Sequence, residues 1–160
     1  MNNLLHTVYP ERPGRAIYVP PAGPPNVRPP DVYAAMGEEN IFAMLADFYR
    51  ELELSSIRTM FPRDMLRASQ KSAAFFVTLL GGPPLYQQRY GNPAMRARHM
   101  PFVIDEAAKN VWLDCYSRVL DNATERYNFP AESLPDFREF LAGFAGWMVN
   151  TATESTDAND

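Results

Sequence analysis

The stretch Gly81-Gly82-Pro83-Pro84-Leu85-Tyr86-Gln87-Gln88-Arg89-Tyr90-Gly91-Asn92-Pro93, followed by Arg96-Ala97-Arg98-His99-Met100-Pro101-Phe102, decides how the chain is read. Two glycines and two prolines in a row stop the helix before them, because glycine leaves the helical basin freely and proline has no N–H to donate. The long connection that follows carries Leu85, Tyr86 and Tyr90, so it reads as an ordered loop. Asn92 can cap a helix with Pro93 in its first turn. Pro101 ends that helix near Met100, since the residue before a proline is pushed out of the helical region. His99 is thereby placed in the last turn of a helix of about two turns.

Outward from this stretch the periodicity is helical. Ile41, Met44, Leu45 and Phe48 recur at the spacing of one helix face. A second helix is predicted from near Asp64 to Gly81, with an inward stripe of Ala68, Ser72, Phe75 and Leu79 and with Phe76 beside it. A third starts near Asp105 and carries Ala108, Val111, Trp112, Cys115 and Val119 on one face. A fourth opens at Ser133-Leu134-Pro135-Asp136, which resembles a capping box, and carries Phe137, Phe140, Leu141, Phe144, Trp147 and Met148. No segment alternates with period two over a useful length, so the fold class is all-α.

The ends differ from this middle. Residues 1–31 hold eight of the 15 prolines and read as an extended, polyproline-like arm. Residues 151–160 read as a disordered polar tail, leaving residues 32–150 as one helical domain. The net charge of -4 gives no support to nucleic-acid binding. The single cysteine, Cys115, rules out an internal disulfide. No run approaches the roughly 20 apolar residues of a membrane span, and no secretory signal is visible, so a cytoplasmic location is the default expectation.

The chain has two histidines. His6 lies in the arm and reads as a solvated residue. On residue chemistry alone His99 is most simply a satisfied, partly buried histidine or a helix C-cap. The sharper alternative is a metal ligand. A lone histidine cannot build a zinc site, but it suffices for haem iron, which needs one protein ligand. Phe75, Phe76, Phe102, Trp112, Phe144 and Trp147 can wall a flat apolar slot, and Lys71, Arg96 and Arg98 can supply cations at its mouth. Ala68 and Ser72 are small enough to leave room inside.

The run from Gly81 to Tyr86, the run Tyr90-Gly91-Asn92-Pro93 and the run from Arg96 to Phe102 closely resemble the group II truncated haemoglobins. So do Trp112-Leu113-Asp114-Cys115 a fixed step later, and Phe48-Tyr49 and Phe61-Pro62 upstream. The resemblance covers about Val32 to Asn150. It implies a two-over-two helical sandwich around haem b (iron protoporphyrin IX), with His99 as the proximal ligand and Tyr49 and Trp112 as distal donors. It implies further that Phe61 packs on the haem edge, that Ala68 and Ser72 face the ligand, and that Lys71 and Arg98 pair with the propionates. Phe75, Phe76, Tyr86, Phe102, Phe144 and Trp147 complete the expected haem contacts. Ser72 stands where relatives often carry a larger residue, and Phe61 where some carry tyrosine.

The function so implied is binding of O2, NO and CO, for redox or NO/peroxide chemistry rather than oxygen transport. NO dioxygenation or peroxidase-like turnover would need an external reductase, because no reductase module follows the globin-like region. Two other readings stay open: a non-enzymatic gas sensor acting through a partner, and a globin-shaped scaffold without haem. A homodimer is also left open.

Overall fold

The computed structural model describes residues 23–152. The readings made for residues 1–22 and 153–160, His6 included, lie outside the described residues. Eight α-helices occur among the described residues: α1 Tyr33–Met36, α2 Glu38–Glu53, α3 Met65–Leu79, α4 Leu85–Tyr90, α5 Met95–His99, α6 Glu106–Leu120, α7 Ala123–Tyr127 and α8 Leu134–Met148. Two 3-10 turns, Arg58–Met60 and Ala131–Ser133, accompany them, and no strand is present among the described residues.

The four long helices form two pairs. α2 packs on α3, α6 packs on α8, and α2 meets α6 between the pairs. Their apolar faces meet in one core that includes Ile41, Met44 and Phe48 of α2, Phe76 of α3, Tyr116 of α6 and Phe137 of α8. Each fully buried side chain of this size contributes roughly 1.5–3 kcal/mol. Two long helices start on aspartate caps. The Asp64 carboxylate accepts from the Arg67 N–H at 3.0 Å, and the Asp105 carboxylate accepts from the Ala108 N–H at 2.8 Å.

Three local expectations are corrected. Ser133 forms no capping box, since its side chain makes no cap hydrogen bond. The preceding 3-10 turn runs directly into α8 and leaves Ser133 helical (φ -95°, ψ -8°) rather than extended, as a cap requires. The loop after Pro84 contains the short helix α4. The helix carrying His99 is shorter than two turns, because Asn92 accepts from the Ala94 N–H in a turn and Ala94 takes a left-handed conformation (φ 36°) that interrupts the helix.

The segment leading into α1 closes over the end of α3. The N–H groups of Val32 and Tyr33 both donate to the Leu80 carbonyl, at 3.0 and 2.9 Å. Asp31 and Tyr33 lie so close to Gly81 and Gly82 that neither position has room for a side chain. A Cβ on Gly82 would stand 2.6 Å from the Tyr33 ring and 2.7 Å from Val77. We therefore expect Gly82→Ala to destabilise the domain by about 1–3 kcal/mol. The urea midpoint should fall with the slope unchanged; an unshifted midpoint would mean that this junction is loose.

Candidate functional site

Between the helix pairs lies a cavity of about 650 Å³, within the range of roughly 300–1,000 Å³ usual for cofactor and ligand sites. α2 contributes Tyr49, and the turn after it contributes Ile57, Met60 and Phe61. α3 contributes Ala68, Lys71, Ser72, Phe75 and Phe76, and α4 contributes Tyr86. α5 supplies Met95, Arg98 and His99, and the connection to α6 supplies Phe102 and Ile104. α6 adds Ala108, Lys109 and Trp112, while α8 adds Phe144, Ala145 and Met148. Tyr49, Ser72, His99 and Trp112 lie inside the fold yet keep part of their surface open, because that surface forms cavity wall.

Of the stripe read on α3, half-buried Ala68 and Ser72 face the cavity with Phe75, while half-buried Leu79 does not line it. The face turned to the core is one the sequence reading did not name, Ser69, Ala73, Val77 and Leu80, buried together with Phe76. Phe75 belongs to both, meeting Tyr86 at 5.9 Å and Phe144 at 5.8 Å between ring centres.

His99 ends α5. Its Nδ1 pairs with the Met95 carbonyl one turn earlier, at 2.5 Å. A carbonyl can only accept, so Nδ1 carries the proton and Nε2 is left to the cavity. Burial lowers the imidazole's pKa below its ordinary value; the Met95 carbonyl opposes the shift and the Arg98 charge adds to it. The ring is therefore held neutral, the form that binds a metal.

Tyr49 lines the site from α2. Burial raises its pKa, and the Ser72 hydroxyl offsets this in part, so the phenol keeps its proton. Its ring meets Phe61 edge-on at 5.8 Å. Trp112 stands edge-on to Phe48 at 5.3 Å and contacts Tyr116 at the same centre-to-centre distance. Both potential donors are thus held by aromatic packing.

Sequence reasoning missed two cations. Arg67 and Lys109 line the cavity beside Lys71 and Arg98, with Asp64 the one carboxylate among the lining residues. Arg67 precedes Lys71 by one helical turn, a spacing visible in the sequence. Two expectations are corrected. Trp147 does not wall the cavity, and Arg96 is not at its mouth. Arg96 is buried, donating to the carbonyls of Trp147 and Val149, with its guanidinium 4.6 Å from the centre of the Trp147 ring.

These residues fit a haem. Among the described residues no cluster of three or more His, Cys, Asp or Glu could hold a bare metal ion. A large apolar hollow with one free imidazole nitrogen and an excess of cations instead suits a flat, anionic group that brings its own metal ligands.

The bacterial-like globin family model matches residues 31–149. The group 2 truncated hemoglobin YjbI of Bacillus subtilis is 31% identical over 129 residues, covering 80% of this chain and 92% of that protein. The crystal structure of phosphate-bound Hell's gate globin IV superposes with a TM-score of 0.72 at 36% identity, covering 81% of each chain. A truncated oxygen-avid haemoglobin from Bacillus subtilis superposes with a TM-score of 0.67 at 32% identity, covering 74% of this chain and 98% of that one.

The lowered pKa of His99 has a consequence for stability in the chain freed of cofactor. Between the lowered value and the ordinary 6.5 the unfolded chain binds the proton and the folded chain does not. Stability should therefore fall as pH drops through that window, and the His99 contribution should be flat above it. Urea unfolding of parent and His99→Leu across the window measures this. The parent should lose more stability on acidification than the variant; equal losses would show His99 to be solvated.

Proposed function

The chain belongs to the bacterial-like globin family, and we propose that its cavity holds haem b with His99 as the one protein ligand of the iron. We propose further that the site binds O2, NO and CO for redox or NO/peroxide chemistry rather than for oxygen transport, drawing electrons from an external reductase. The observation that carries this reading is His99 itself: Nδ1 is tied to the Met95 carbonyl, and the residue lines an apolar hollow, which leaves Nε2 as the nitrogen for a ligand. Bound there, haem supplies an iron centre that takes up a diatomic gas and exchanges electrons.

The chain's own residues supply the rest. The Met95 carbonyl fixes the imidazole's tautomer and ring orientation, as partners of metal-bound histidines do. Lys71 and Arg98, joined by Arg67 and Lys109, provide cations for the two propionates. Phe75, Phe76, Tyr86 and Phe144 exclude water from the faces of the slot. Tyr49 O–H and Trp112 Nε1–H are donors for a ligand that gains negative charge. Each such bond contributes about 1.5–3 kcal/mol, and about 1.4 kcal/mol is tenfold in an equilibrium. Two donors slow release by powers of ten, which makes a poor carrier. The oxygen-avid character of the Bacillus subtilis haemoglobin supports this reading.

Purified protein should show a Soret band, and His99→Gly should abolish normal haem binding while His6→Ala leaves it intact. Full occupancy with an unchanged ferrous spectrum in His99→Gly would refute the assignment.

Tyr49→Phe and Trp112→Phe each keep a ring and remove a donor. Each should speed O2 dissociation by an amount corresponding to about 1–3 kcal/mol. The two effects need not add, since the donors share one region with Ser72. CO gains less charge and is the control. Stopped-flow and flash-photolysis rates decide: if O2 leaves no faster, or CO release changes equally, the two residues act by sterics alone.

A further inference from the structure

Asn150 lies two residues beyond α8 and is buried. The two ends of its amide face different partners. Oδ1 accepts from the Ile104 N–H at 3.1 Å, and Nδ2 donates to the His99 carbonyl at 3.1 Å. Its backbone N–H donates to the Ile104 carbonyl at 2.9 Å, so Asn150 grips Ile104 on both sides while reaching His99. Arg96 fastens the same helix to the same end of α8 through the carbonyls of Trp147 and Val149. α5 has five residues, too few to persist without tertiary support.

We propose that Asn150 is a positioning residue for His99. It holds the backbone of the last residue of α5, and thereby sets how far and how firmly the imidazole reaches into the cavity. The inference rests on the ligation of iron by His99 proposed above. A plain cap would also satisfy the His99 carbonyl, which already accepts from the Phe102 N–H at 3.0 Å. Loss of a cap moves stability alone, whereas loss of a positioning group also moves the bond that the histidine makes.

Full-length parent, Asn150→Asp and Asn150→Ala, each loaded with haem b, make the test. Asn150→Asp keeps an oxygen for the Ile104 N–H and sets a carboxylate oxygen against the His99 carbonyl in place of the donor, while Asn150→Ala removes the donor without adding charge. Two quantities are read: the iron–histidine stretching band of the ferrous, ligand-free protein by resonance Raman, and the rate of haem transfer to an excess of acceptor apoprotein. The band should shift in both variants, and transfer should quicken by about tenfold, the loss of one hydrogen bond. An unmoved band in folded, haem-loaded Asn150→Asp overturns the proposal, whatever happens to the melting temperature. Failure of both variants to fold assigns Asn150 to the fold alone and also overturns it. His99→Gly tests the premise separately: an iron–histidine band retained there defeats the ligation, not the positioning.

Discussion

A helix as short as α5 has no stability of its own, and the tie between the Arg96 guanidinium and the carbonyls of Trp147 and Val149 keeps it in place. The guanidinium meets the end of α8, where the last carbonyls lack partners within the helix and carry the negative end of its dipole. The Trp147 ring beneath it adds a cation–π contact. Met95 and His99 stand one residue before and three after Arg96, so the placement of the imidazole follows from this tie.

A protein interior normally packs to the density of an organic crystal. This fold instead keeps a hollow of about 650 Å³ between its helix pairs. The layer behind it is dense and aromatic: Phe48, Tyr116 and Phe137 are nearly or fully buried, and Phe48 and Tyr116 stand 4.1 Å apart between ring centres. Trp112 leans on that layer with one edge and lines the hollow with another. The same side chain is core and site.

Much of this was legible in the sequence, for definable reasons. The long helices announce themselves through apolar spacing and through the aspartates at 64 and 105. His99 is located by the proline two residues after it. That the α3 stripe borders a hollow while Ser69, Ala73, Val77 and Leu80 face the core was not legible, because periodicity reports which face is apolar and not whether that face meets a neighbour or a hollow. Arg96 was misread for a different reason. An arginine is by default a surface residue, and the carbonyls that draw it inward lie 51 and 53 residues further along. Trp147 followed Arg96, since nothing local distinguishes it from Phe144 and Met148. α1 and α7 are too short to show a period, and α5 was overextended because the left-handed turn at Ala94 has no signature in an alanine.

The grip of Asn150 on His99 spans 51 residues, which bears on the order in which the chain can be assembled. Contacts distant in sequence close late, because the loop entropy must be met before they contribute. In a chain made from its N-terminus, α2 and α3, with Tyr49 and Ser72, can pair early. α5 is made before α8 yet has nothing to hold it until residues 147–150 arrive. The wall bearing the histidine is thus the last part of the cavity to take shape. On the ligation proposed above, a cofactor arriving during synthesis would meet a cavity still lacking its histidine wall, and capture would belong to the end of folding.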